Sequence, residues 1–147
     1  MINIDPPSSP LAEPPSLNKS ALTRFLNRAR GLVGLAGEVE VLLTSDVEIK
    51  RLNKQFRRKN KATDILSFPA GDGAPYAGDL AISLETAARQ AAEHGHDLAT
   101  ELRVLMLHGL LHLSGEDHET DSGEMASREL ELRRQLKLPS GLIERAS

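Results

Sequence analysis

Three histidines in the second half of the chain have the residue type and the spacing of a metal site. His108 and His112 stand four residues apart in the apolar stretch 104–118, so on a helix they share one face, one turn apart. Gly115 comes three residues after the second histidine, where glycine lets a chain leave a helix through a left-handed turn. His118 comes three residues later and is the third candidate ligand. Three of the five histidines therefore fall within eleven residues, and we predict that they bind one metal ion.

The same spacing is typical of metallopeptidases with the pattern His-Glu-x-x-His-x-x-Gly-x-x-His, which wrap three imidazoles around zinc. The position of their general-base glutamate is Gly109 here, so the ligands are present and the peptidase base is absent. Core histidines bonded to backbone or water are the alternative interpretation, but ligand type, number and spacing together favour the metal. We expect one Zn²⁺ per chain, although three imidazoles also accept Ni²⁺, Cu²⁺ or Co²⁺. His94 and His96 lie outside this spacing and are predicted to be surface residues.

The chemistry of such a site suits phosphodiester cleavage. Three neutral imidazoles leave the double charge of Zn²⁺ uncompensated, so a bound water can approach a pKa of about 7, or the metal can hold a phosphate oxygen as a Lewis acid. The candidate general bases are Asp117, Glu116 and a metal-activated water that needs no separate base. Asp117, a candidate catalytic residue, could equally orient a ligand imidazole, and we favour that role.

A second cluster is basic. Residues 50–61 hold seven of the 18 lysines and arginines and no acid, whereas the remainder has 11 bases against 21 acids. Charge alone is compatible both with a localised anionic partner and with a solvated helix face. Arg57 lies on the flank of the buried stripe, and its forked guanidinium matches the charge that builds up on a cleaving phosphodiester, so we predict that it is catalytic. The predicted phosphate contacts are Lys50, Lys54, Arg57, Arg58, Lys59 and Lys61.

Secondary-structure signals position both clusters. The helix of the histidines, about residues 98–114, is apolar nearly all round, which predicts a central buried element. Ser45 and Glu48 form a capping box that begins the basic helix. The other predicted helices begin at Asn18, at Ser83 or Glu85 and, for the final one, which Pro139 ends, at Asp121 or Ser122. The predicted strands are Val39–Leu43, Thr63–Phe68, Leu80–Leu84 and a short edge strand at Met1–Ile4. We predict an α+β fold: one small mixed sheet of three to four strands packed with about five helices.

Composition predicts one globular domain over residues 1–147, with 39% hydrophobic and 27% charged residues and a net charge of −3. Five of the eight prolines fall in residues 5–16, which we interpret as an irregular segment. The lack of cysteine excludes disulfides, and no apolar run is long enough to span a membrane. We expect a cytoplasmic protein.

Three ordered blocks carry a resemblance to a known family. Residues 108–118 resemble the signature H-G-x-L-H-L-x-G-x-D-H of the YbeY family, bacterial metal-dependent endoribonucleases implicated in ribosomal RNA maturation and ribosome quality control. Residues 52–57 with 63–69 are similar to the family's second block, and residues 78–83 to its third. The resemblance implies zinc on His108, His112 and His118 and gives Arg57 the role of the family's functionally important arginine.

The resemblance also implies a substrate. We expect cleavage of single-stranded regions of ribosomal RNA precursors, including the 3′ end of 16S rRNA, by a protein that contacts the ribosomal subunit or assembly proteins but neither DNA nor membranes. Aromatic residues make up only 3% of the chain, so RNA recognition should depend on phosphate contacts and RNA shape. Two alternatives stay open: an RNA-binding assembly factor with a structural metal, and a small metallopeptidase-like hydrolase.

Overall fold

A four-stranded mixed sheet and six helices make up the part of the chain that a computed structural model describes, residues 2–5, 17–58, 63–71, 73–117 and 120–146. In chain order they are β1 (Ile2–Ile4), α1 (Lys19–Val33), β2 (Val39–Thr44), α2 (Asp46–Arg57), β3 (Ile65–Pro69), β4 (Gly78–Ser83), α3 (Leu84–His94), α4 (Leu98–Leu113), α5 (Glu124–Gln135) and α6 (Leu142–Ala146). The predicted α+β class and the small mixed sheet are confirmed. Most of the proline-rich segment and the predicted contacts Lys59 and Lys61 lie outside the described residues.

The strand order in the sheet is β1-β2-β4-β3. β2 runs parallel to both β1 and β4, whereas β3 pairs antiparallel with β4 and forms an edge. The predicted strand Thr63–Phe68 in fact begins at Ile65 and includes Pro69. An edge strand tolerates a proline because the missing N–H is not needed by a neighbour on the open side. The open side of β3 is therefore available to line a cleft.

Local capping signals begin several helices where the sequence predicted them. The Ser45 hydroxyl accepts a hydrogen bond from the amide of Glu48 at the start of α2, and the Ser83 hydroxyl accepts one from the amide of Thr86 in α3. In α5 the cap is shifted: the helix begins at Glu124, and the carboxylate of Asp121 accepts from the amides of Gly123 and Met125. These bonds satisfy amides that the first helical turn leaves without partners.

The two faces of the sheet are covered unequally. The main core joins one face to α4 and includes Val41, Leu43, Leu80 and Ile82 from the strands. A smaller cluster lies on the other face under α2 and consists of Ile49, Leu66 and Ala81. Helix α4 contacts α1, α3, α5, β3 and β4, and eleven of its sixteen residues are buried. It is the central apolar element that its sequence predicted.

Within the described ranges, no helix combines the length and the apolar character needed to cross a bilayer.

Helix α6 was not predicted, and the contacts that hold it correct a second expectation. Arg145 in α6 donates to both oxygens of Glu101 in α4 at 2.7 and 2.8 Å, and His96 Nε2 lies 2.6 Å from Oε1 of the same carboxylate. Burial raises the pKa of Glu101, but the hydrogen bonds from Arg145 and His96 outweigh it and hold that pKa below its usual range. The surface position predicted for His96 is therefore wrong, whereas His94 is exposed as predicted.

Candidate active site

The two histidines of α4 direct their rings toward one another. Nε2 of His108 and Nε2 of His112 are 3.1 Å apart, and the ring centroids are 4.7 Å apart in an edge-to-face arrangement. His108 is buried, with 6% of its surface exposed, and His112 is half-buried one turn later. The i, i+4 spacing thus brings two nitrogen donors to one small volume at the carboxyl end of the helix.

The helix then ends through a left-handed turn at Gly115. The amide of Gly115 donates to the carbonyl of His112, and the amide of Glu116 donates to the carbonyl of Leu111. Together with the φ of 96° at Gly115, these two bonds form a Schellman motif. A side chain at this φ would be strained, so the conformation explains the glycine. His118 lies outside the described residues, and its assignment as the third ligand stays a prediction.

Both histidines open onto a cleft of about 480 Å³ between α4 and the edge strand β3. Most of the described residues that line it are polar. They are Arg57, Thr63, Asp64, Ile65, Ser67, Pro69, His108, His112, Asp117 and Leu142. The structure therefore brings four of the predicted site residues, one arginine, one aspartate and two histidines, to the same cavity.

Arg57 reaches this cleft from the opposite side of the sheet. Helix α2 packs against Leu66 on the face away from α4, whereas Ile65 and Ser67 line the cleft on the near face. Arg57 is the last residue of α2 and is exposed, and its side chain lines the cleft past the open side of β3. Because β3 is an edge strand, Arg57 from α2 on one face of the sheet can line the same cavity as the histidines of α4 on the other face.

The two acidic candidates for the base differ in position. Asp117 is exposed and lines the cleft. Glu116 is not among the described lining residues, and its Oε2 accepts a hydrogen bond from Arg128 of α5 at 2.9 Å. Of the two carboxylates, Asp117 is therefore the one that lines the cleft.

Of the described residues in the basic cluster 50–61, Arg57 alone lines the cleft. Lys50, Lys54 and Arg58 are exposed on α2 or at its end, and none of them is among the described lining residues. Arg51 of the same helix pairs with Glu48, and that bond lowers the pKa of the Glu48 carboxyl. The roles assigned to these basic side chains stay predictions.

Gly109 faces the sheet and not the cleft. A Cβ at this position would lie 2.7 Å from Cδ2 of Leu80 and 2.8 Å from Cδ1 of Ile65, both closer than van der Waals contact. The helix can approach β3 and β4 this closely because residue 109 has no side chain. In peptidases with this histidine spacing, the residue at this position is the general base. Here the same position lies in the packed interface between α4 and the sheet.

Glu129 contacts a histidine of the site and was not predicted. The carboxylate of Glu129 in α5 lies 2.7 Å from Nδ1 of His108 and is buried. Glu129 stands four residues after Met125 and three before Leu132, both buried, so it occupies an inward position of an amphipathic helix. A charged residue in an apolar stripe was the signal that could have identified it.

Comparisons with known proteins agree with the motif blocks. The family profile for Endoribonuclease YbeY matches residues 15–137. An Endoribonuclease YbeY of Koribacter versatilis is 56% identical over 132 residues, covering 89% of this chain and 86% of the relative, and one of Solibacter usitatus is 51% identical, covering 90% and 88%. The solution structure of TM1509 from Thermotoga maritima superimposes with a TM-score of 0.58 at 29% identity, covering 93% of this chain and 92% of that one. The chain therefore belongs to the YbeY family of endoribonucleases.

Proposed function

We infer that this chain is an endoribonuclease, and we propose that it uses zinc to cleave single-stranded regions of ribosomal RNA precursors, including the 3′ end of 16S rRNA, and that it acts in ribosome quality control. The observation that carries the chemistry is one cleft shared by two convergent imidazoles and Arg57. Family membership supports RNA as the substrate. The ribosomal target and ribosomal or assembly-protein partners are supported by the motif resemblance alone.

The donor set fits a zinc ion. Two nitrogens bound to one ion at about 2.0–2.1 Å lie a little more than 3 Å apart, and the two Nε2 atoms are separated by 3.1 Å. Among the residues that the structure describes, no group of three His, Cys, Asp or Glu side chains could hold a metal, and His118, the third proposed ligand, lies outside those residues. We propose that His108, His112 and His118 hold the ion.

The residues of the cleft have distinct proposed tasks. When bound, zinc would supply Lewis acidity, which lowers the pKa of water and withdraws charge from phosphate oxygens. The Arg57 guanidinium would hold the scissile phosphate through two N–H groups and stabilise the negative charge that builds up there. Asp117 would orient a ligand imidazole or a nucleophile from the rim. Lys50, Lys54 and Arg58 would attract the RNA backbone without reading its sequence.

The proposal is tested by metal content and RNA cleavage measured on the same preparation. We expect about one zinc per chain and cleavage of a single-stranded RNA that stops on chelation and returns with zinc. Cleavage that is unchanged after complete metal removal would count against the proposal, whereas a fourth protein ligand to the metal would favour the RNA-binding factor with a structural metal. Analysis of product ends identifies the nucleophile, because a 2′,3′-cyclic phosphate would mean attack by the RNA's own hydroxyl.

Arg57→Ala should lower the rate of cleavage by about 10²–10³-fold, the usual loss when one stabiliser of transition-state charge is removed. Zinc content should not change, since Arg57 is a cation and binds no metal. Single-turnover cleavage with saturating enzyme measures the effect. Arg51→Ala is the matched control, because Arg51 is exposed on the same helix but lies outside the described lining of the cleft. An equal loss of cleavage rate in Arg57→Ala and Arg51→Ala would show that the basic residues of α2 act only through their total charge.

A further inference from the structure

Two buried carboxylates lie on the helices around the cleft, and they differ in what compensates their charge. Glu101 is paired with the guanidinium of Arg145 and with His96. The side chain of Glu129 is only 2% exposed, and over the described ranges no lysine or arginine pairs with it. A buried carboxylate without a cationic side chain is costly to keep. Its partners should therefore explain why it is there.

Both oxygens of Glu129 accept a hydrogen bond. Oε2 lies 2.7 Å from Nδ1 of His108, and Oε1 accepts from the backbone amide of Ile143 at 2.8 Å. A carboxylate oxygen accepts, so the contact with Oε2 uses Nδ1–H of His108 and leaves Nε2 on the side of His112. The first bond thus orients the ring of His108 with Nε2 toward His112. The second bond ties the same carboxylate to the first turn of α6.

The turn that begins α6 is packed directly on this carboxylate. A Cβ added at Gly141 would lie 2.5 Å from Oε1 of Glu129 and 3.1 Å from its Cδ. Leu142, the next residue, lines the cleft. Arg145 fastens the far end of α6 to Glu101. The carboxy-terminal segment is therefore in contact with the carboxylate that holds His108.

We propose that Glu129 is a positioning residue for His108 and that the turn at Gly141–Ile143 fixes the position of Glu129, so that the carboxy-terminal segment sets the metal affinity of the site. The inference rests on the proposed function in one respect, that His108 binds the metal. Partners that hold the second nitrogen of a ligand histidine typically change metal affinity by 10–100-fold.

Glu129→Gln tests the first part. Glutamine has one acceptor oxygen, whereas both neighbours of Glu129 are donors, so one of the two bonds is lost. We expect the zinc affinity, measured by competition with a chromophoric chelator, to fall about 10–100-fold. In the metal-free protein, ¹⁵N shifts of His108 should change from a single Nδ1–H tautomer to a mixture. Glu131→Gln is the control, because Glu131 is exposed on the same helix.

Gly141→Ala tests the second part. The new methyl group collides with Oε1 of Glu129, so the carboxylate or the turn must move, and zinc affinity and the His108 tautomer should change as in Glu129→Gln. Gly31→Ala makes the same chemical change in α1, where a Cβ meets nothing within 4 Å, and should leave both unchanged. If Glu129→Gln does not fold, this pair decides the question.

The outcomes separate the two proposals. Wild-type protein that binds no zinc would overturn the proposed function, and the His108 tautomer in the variants would still decide the role of Glu129. Wild-type protein that binds zinc, with unchanged affinity and tautomer in Glu129→Gln and Gly141→Ala, would overturn this inference alone. Loss of affinity in Gly141→Ala with an unchanged melting temperature of the metal-free protein would support it.

Discussion

Replacing His112 with alanine should give a folded protein that neither retains zinc nor cleaves RNA. His112 is half-buried beside the cleft, so its removal opens no core cavity and should change the free energy of unfolding of the metal-free protein by less than about 1 kcal/mol. The two remaining proposed ligands cannot hold the ion as tightly as three. We expect the rate of cleavage to fall by more than about 10³-fold, which exceeds the usual loss when one group that stabilises transition-state charge is removed. Zinc per chain and initial rates on single-stranded RNA measure both effects.

His94→Ala is the matched control, because His94 is an exposed histidine at the end of α3 and is not among the described residues of the cleft. It should keep full zinc content and activity. A His112→Ala protein with one zinc per chain and wild-type cleavage would remove His112 from the site and, with it, the proposed metal centre.

Gly109→Glu introduces the glutamate that the peptidase pattern has at this position. We expect the substitution to destabilise the protein without creating a peptidase. The added side chain would point at Leu80 and Ile65, in the packed interface between α4 and the sheet. Overpacking costs about 1–3 kcal/mol, and a carboxyl group buried without a partner costs several more. That sum is comparable with the whole stability of a typical domain, about 5–15 kcal/mol. Urea unfolding and a peptide-hydrolysis assay measure the two outcomes.

Gly31→Glu controls for the chemistry of this change. Gly31 is exposed in the last turn of α1 with open space around it, so the cost there should stay within about 1 kcal/mol, the usual size of an unfavourable helix-dipole interaction. A stable Gly109→Glu protein that hydrolyses peptides would mean that residue 109 faces the cleft, and the metallopeptidase alternative would return.

The parts of the fold that follow from the sequence are those with local causes. The capping box at Ser45 and Glu48 is satisfied within four residues, and the buried helix α4 is apolar on all sides. The left-handed turn at Gly115 follows from the position of one glycine. The contact between His108 and His112 could likewise be predicted, because it requires only the periodicity of a helix.

The features that were missed depend on contacts between distant segments. Helix α6 has five residues, too few to be stable by itself, and it is held by a pair 44 residues apart in the chain, Arg145 with Glu101. That pair also buries His96. Glu129 meets His108 across 21 residues, a contact that only the packing of α5 against α4 creates. The path of Arg57 past β3 depends on strand order, which no local pattern encodes.

The hydrogen bonds that Ile143 and His108 donate to the carboxylate of Glu129 have a consequence for how the enzyme is made. A chain leaves the ribosome amino end first and begins to fold during synthesis. Helix α4 therefore emerges before Glu129 and Ile143, the residues that we propose orient His108. The contacts that we propose to orient His108 can therefore form only after α5 and the first turn of α6 have left the ribosome.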